Sequence, residues 1–185
     1  MKPLETYYRG YKFRSRLEAR WAVFFDVLGV KYRYEAEGFK LPSGAFLPDF
    51  LLYLPGKAKV WAEIKPPNMP GEKLNRLERV VNDLYKETGI KVLCIFGEPW
   101  PGEYNVAMVP DCLSHGGLKD QKYVFALGRK HEAELWLVDW DVGGVCLNPL
   151  VDDKGKYPLD NHPKLLKAYE KARSSRFEYG EHPIV

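Results

Sequence analysis

The run FLPDFLLYLPGKAKVWAEIKP, residues 46–66, constrains the fold more than any other stretch of the chain. Two apolar segments flank a Pro-Gly pair, the pattern of a β-hairpin that wants burial. Yet Asp49 stands where the first strand begins, and Glu63 and Lys65 stand where the second ends. Side chains alternate across a strand, so Trp61, Glu63 and Lys65 share one face while Ile64 takes the other. If the loop Leu54 to Ala58 closes the hairpin with Tyr53 facing Lys59, Asp49 falls opposite Glu63. Their Cβ atoms are then about 4.5–5.5 Å apart on one face. A slip of one residue sends Asp49 to the opposite face.

Two carboxylates this close repel, and each raises the other's pKa unless a cation lies between them. A hard divalent ion with oxygen ligands, Mg²⁺ or Mn²⁺, suits the pair, with the backbone carbonyl of Ile64 as a further oxygen. An ammonium beside such an ion, here Lys65, orients or helps deprotonate an attacking water, or stabilises charge on a phosphate oxygen. Metal-assisted phosphodiester hydrolysis uses those parts. The competing reading makes Asp49 a turn residue after Pro48, and Glu63 and Lys65 solvent-facing residues of an exposed strand. Three polar groups converging on one end of an apolar hairpin favour the site.

Around the hairpin the pattern is that of an α/β protein. YYRGYKF, from Tyr7, alternates about Gly10 as a short lead-in hairpin, and SRLEARWAVFFDVLG carries Leu17, Trp21, Phe24, Phe25 and Leu28 at helical spacing before Gly29. VKYRYEAEGFKL reads as one or two strands. Residues 73–88 place Leu74, Leu77, Val81, Leu84 and Tyr85 on one helical face, and IKVLCIFG is a short buried strand. Helix, strands, helix and strand make an α/β sandwich around a mixed sheet over residues 1–97. Residues 98–185 hold strands in EYNVAMV, KYVFALG and ELWLVDW, a third of that last group in GGVCLN, and a helix over 163–178 with Leu165, Leu166, Tyr169, Ala172 and Phe177. No flexible linker precedes them, so they read as an elaboration of the same sheet and domain.

Composition narrows the setting. Hydrophobic residues are 45% and charged residues 29%, ordinary for a globular protein, and the net charge of +3 does not by itself imply a nucleic-acid partner. Cys94, Cys112 and Cys146 are odd in number and lack a CxxC pair, which predicts reduced thiols in a cytoplasmic protein. No apolar run suits a signal peptide or a membrane span, so no membrane partner is expected. Cys112 and His115 form an isolated C-x-x-H, and the remaining cysteines and histidines show no zinc-ligand spacing. FALGRKHEAE lacks the glycine spacing of a phosphate loop.

LPDF followed by WAEIK resembles the PD-(D/E)xK nuclease superfamily, the restriction-endonuclease-like fold. Pro48 and Asp49 match the first half of its motif and Glu63-Ile64-Lys65 the second. More narrowly, FRSRLEARWAVFFDVLG, PDFLLYL and WAEIKP are similar to small phage and bacterial nuclease-like proteins. The resemblance implies a Mg²⁺-dependent DNA endonuclease, with Mn²⁺ able to substitute, or a structure-specific junction resolvase or nicking enzyme, in which case a homodimer is expected. A catalytically silent DNA-binding module is the third option. It also implies a third carboxylate on the first core helix, at Glu18. Ser15-Arg16-Leu17-Glu18 equally fits a capping box, in which Glu18 satisfies the Ser15 amide. Arg14, Arg16 and Arg20 surround Glu18, and Arg9 and Lys12 lie among Tyr7, Tyr8, Tyr11 and Phe13. These read either as a phosphate-contacting patch or as a solvated surface. Lys73, opening the second core helix, is a further candidate to face the site.

Overall fold

The central hairpin forms in the expected register. In strands β6 (Phe50–Tyr53) and β7 (Lys59–Lys65), Tyr53 pairs with Lys59 and Phe50 with Ala62, antiparallel, so Asp49 falls opposite Glu63. The structure, a computed structural model, describes residues 5–54, 58–103, 105–114, 116–128, 135–139, 143–146 and 159–177.

Before this hairpin come β1 (Thr6–Tyr8), β2 (Tyr11–Phe13), α1 (Arg16–Leu28), β3 (Lys31–Tyr34), β4 (Phe39–Leu41) and β5 (Gly44–Phe46); after it come α2 (Gly71–Thr88), β8 (Val92–Phe96) and β9 (Val106–Val109). Five strands form one mixed sheet in the order β3-β6-β7-β8-β9. Only β7 and β8 run parallel, and α2 is the crossover that a parallel pair requires. Alternation along β7 sorts its residues between two cores. Val60, Ala62 and Ile64 face the α1 side, while Trp61 faces α2 with Leu74, Leu77, Val81 and Leu84. Each fully buried side chain of this size is worth about 1.5–3 kcal/mol over its exposed state.

Helix α1 is buried nearly all round, with Ala19, Trp21, Ala22, Val23, Phe24 and Phe25 inaccessible. A helix of that kind needs cover on both sides. The sheet supplies one, and the C-terminal part of the chain supplies the other. There lie β10 (Val124–Leu127), β11 (Leu135–Asp139), β12 (Gly143–Cys146) and α3 (Pro163–Ser174). Phe125 packs its ring on Trp21 and Phe24, and Tyr169 of α3 packs on Phe24. Among the described residues there are three α-helices, and no helix is long and apolar enough to cross a membrane.

Two expectations change, and a third, left open between one strand and two, is narrowed. Among the described residues, only β9 of the later strands extends the main sheet; β10, β11 and β12 form a sheet of their own, joined to the first by a bridge between Val106 and Tyr123. The chain leaves the sheet edge there because Tyr123, Phe125 and Leu127 bury against the α1 side of the core. VKYRYEAEGFKL yields two strands, and the second, β4, pairs with β5 and not with the sheet. Leu166, assigned by spacing to the apolar face of α3, is 41% exposed, because the buried stripe runs through Leu165, Ala168, Tyr169 and Ala172. That helix also ends earlier than the expected residue 178: it stops at Ser174, where Ser175 turns to an extended backbone.

Candidate active site

Asp49 and Glu63 are buried, at 2% and 3% exposure, at the end of the sheet where β6 begins after Pro48 and β7 finishes. The Asp49 amide donates to Glu63 Oε2 at 3.1 Å, and Asp49 Oδ2 accepts from the Ile64 amide at 2.8 Å. The two acids therefore lock the start of β6 to the end of β7 through each other's backbone. Lys65 places its ammonium on both, at 3.6 Å from Asp49 Oδ2 and in close contact with Glu63 Oε1. Burial first, then the Glu63 charge, push the Asp49 carboxyl up to about 8, although Lys65 pulls it down. Burial also raises Glu63, against the opposing pull of Lys65. Burial alone would lower Lys65, but the charges of Asp49 and Glu63 outweigh it and the ammonium is held above its ordinary pKa.

Glu18 approaches from α1. Ser15 caps that helix, its hydroxyl accepting from the Glu18 amide at 3.2 Å and donating to Glu18 Oε1 at 2.7 Å. The reciprocal half of the capping box differs from expectation, because Glu18 Oε2 accepts from the Arg14 amide at 3.1 Å, one residue before Ser15. The Tyr34 hydroxyl donates to the same oxygen at 2.6 Å. Glu18 is close enough for its charge to add to the rise at Asp49. Its two oxygens are taken up by the Ser15 hydroxyl, the Arg14 amide and the Tyr34 hydroxyl, and among the described residues no group of three or more acids, histidines or cysteines is placed to hold a metal ion.

Arg14 joins these parts. Its amide serves Glu18, while its guanidinium sits 3.2 Å from Asp49 Oδ1 and 2.6 Å from Glu35 Oε1. The charge expected between the carboxylates is thus supplied by Lys65 and Arg14. The pair has the donor set of a hard-cation site: two buried carboxylates, each with lone pairs beyond those engaged, and charge that burial makes costly unless it is compensated. Asp49 and Glu63 fit Mg²⁺ or Mn²⁺, and their burial would be relieved by either ion.

The other candidates scatter. Arg20 is near, ion-paired to Glu98 at 2.7 Å in the loop after β8. Arg16 is half-buried on the first turn of α1. Arg9 pairs with Asp26, two turns or about 12 Å along α1 from Glu18, and Lys12 pairs with Glu5. The structure does not bring Arg9 to the site. Lys73 is exposed on the first turn of α2, beside Glu72 and Arg76 on the outer surface of that helix. Of the residues considered for zinc, Cys112 is buried and His162 accepts the Lys164 amide through Nδ1, while His115, His131 and His182 lie outside the described residues.

Sequence reasoning missed Tyr34 and Glu35. Tyr34 reads there as one aromatic of an alternating strand, and only the fold aims its hydroxyl at Glu18. It missed also the loop at Gly97, whose amide donates to the Lys65 carbonyl at 2.8 Å and whose carbonyl accepts from Trp21 Nε1 at 2.9 Å. No family model, curated protein or solved structure matches this chain.

Proposed function

We propose that the protein is a divalent-metal-dependent endonuclease with a restriction-endonuclease-like core, hydrolysing phosphodiester bonds of DNA. The observation that carries the proposal is one juxtaposition: two buried carboxylates side by side at a strand end, with a lysine ammonium on both. The element order α1, β3, β6, β7, α2, β8, with β7 and β8 parallel, supports the core. Asp49 and Glu63 would hold Mg²⁺ or Mn²⁺, with the Ile64 carbonyl as a further donor. Such an ion supplies Lewis acidity at the phosphate and a more acidic water. Lys65 then exchanges its carboxylate partners for the developing charge on the phosphate oxygen. Arg14, released from Asp49, and Arg20 and Arg16 beside it are the phosphate-contacting groups. Glu18 acts through Arg14 and Tyr34 as a positioning residue.

The test incubates plasmid, single-stranded and branched DNA with wild-type protein, Lys65→Ala and Asp49→Asn in Mg²⁺ or Mn²⁺. Wild type is expected to cut and both variants to lose at least about a hundredfold in rate, the scale of a lost general acid–base or electrostatic group. Product patterns shared by wild type and Lys65→Ala would sink the assignment. A wild type that shifts DNA in a gel yet cuts none of it would leave a binding module instead.

A further inference from the structure

The loop that follows β8, tied at Gly97 to the end of β7, carries an exposed tryptophan. Trp100 is 49% exposed, whereas Trp21, Trp61 and Trp136 are buried. Arg173 of α3 lies over its ring, guanidinium carbon 3.9 Å from the centroid. Arg173 is itself held by a bond from its Nε to the Tyr169 carbonyl at 3.3 Å. The loop is fixed at its root by three ties: Gly97 amide to Lys65 carbonyl, Trp21 indole to Gly97 carbonyl, and Arg20 to Glu98. Trp100 follows Gly97 by three residues, a reach of at most about 11 Å from Gly97, whose amide bonds the carbonyl of Lys65. Pro99 and Pro101 on either side restrict the backbone, so the ring is presented with little freedom to lose.

An exposed indole costs hydration and is of no use to a core. A rigid indole layered with a guanidinium, beside cationic groups suited to phosphate, has the chemistry of a nucleobase-stacking platform. Arg173 covers one face of the ring, and the remaining exposure lies on the rest of it. A base inside a duplex is already stacked on its neighbours, so only an unpaired base can use such a platform without first paying for extrusion.

We infer that Trp100, backed by Arg173, stacks an unpaired base next to the scissile phosphate, and that the substrate is therefore DNA with a single-stranded portion. This rests on the nuclease reading of Asp49, Glu63 and Lys65. It adds the substrate class and the residue that selects it.

The experiment measures binding of a labelled single-stranded oligonucleotide, a splayed-arm duplex and a blunt duplex of the same sequence, in Ca²⁺, to wild type, Trp100→Ala and Trp100→Phe. Cleavage in Mg²⁺ is followed in parallel. Stacking a base is worth about one to two decades of affinity. Trp100→Ala is expected to lose about ten- to a hundredfold on the first two substrates and nothing on the blunt duplex, with most of it restored in Trp100→Phe. Tryptophan fluorescence of wild type should fall as single-stranded DNA is added, and Trp100→Phe should lack that quenching. Equal affinities for wild type and Trp100→Ala, with cleavage intact, would overturn the stacking proposal and leave the nuclease reading standing. Trp100-dependent binding without any cleavage would overturn the nuclease reading instead. Failure to bind any DNA would overturn both. Circular dichroism of the two Trp100 variants confirms that each is folded.

Discussion

At the scale of single residues, the site is organised by what burial does to charge. A carboxyl that binds its proton more tightly in the fold than in the open chain weakens the folded state as pH rises between the two pKa values. For Asp49 that interval runs from 3.8 to about 8, so the metal-free protein should lose stability across it and change little from this group above it. Denaturation in EDTA at pH 5 and pH 8 checks this, and Asp49→Asn should show a smaller difference between the two. The same proton competes with a cation. Mg²⁺ or Mn²⁺ affinity should therefore rise by up to about tenfold per pH unit until pH 8, read by calorimetric titration, and Asp49→Asn should flatten the rise to what the raised Glu63 carboxyl leaves. Tyr34 carries a different cost. Its hydroxyl donates to a buried carboxylate, so Tyr34→Phe should destabilise the protein by about 1.5–3 kcal/mol in urea melts while removing no candidate ligand. A cleavage rate within severalfold of wild type would then mark Tyr34 as support for Glu18 alone.

Between elements, the ties that matter are few and specific. Trp21 Nε1 holds the Gly97 carbonyl, joining the middle of α1 to the loop that also grips the end of β7. Trp21→Phe leaves that buried carbonyl without its donor and should cost about 1–3 kcal/mol, measured as a shift in the urea midpoint at unchanged slope. A changed slope would mean that the loop is already loose in the native state. These ties also explain which parts of the fold were legible in the sequence. Periodicity is a local signal, so α1 with its Ser15 and Gly29 caps, the hairpin register, and the apolar stripe of α2 all follow from neighbouring residues. The Asp49–Glu63–Lys65 cluster was legible for the same reason, being fixed by one register. Arg14 on Asp49, Tyr34 on Glu18 and Trp100 under Arg173 join residues far apart in the chain, and no spacing rule reaches them. The separate sheet of β10 to β12 was hidden for a related reason. An apolar strand reads alike whether it extends one sheet or covers a helix beside it.

For the whole molecule, the decisive fact is that α1, the helix that opens the core, is buried from both sides. Trp21 and Phe24 meet Phe125, and Phe24 meets Tyr169, so residues beyond position 98 supply a wall of the same core that holds Ile64 and Ile95. Ending the chain at residue 97 would uncover the outer side of α1 and remove β9, exposing Ile95 and Leu93 along a new sheet edge. An uncovered apolar edge of that kind favours aggregation over folding. The 1–97 fragment should therefore be insoluble or molten, with weak near-ultraviolet dichroism and strong binding of a hydrophobic dye. The full chain should unfold in one transition, its calorimetric and van't Hoff enthalpies agreeing. Two separated transitions in the full chain, or a cooperative melt in the fragment, would show instead that the site's scaffold stands without its C-terminal wall. In that case Trp100 and Arg173 would belong to units able to move apart, and the stacking platform would lose its fixed backing.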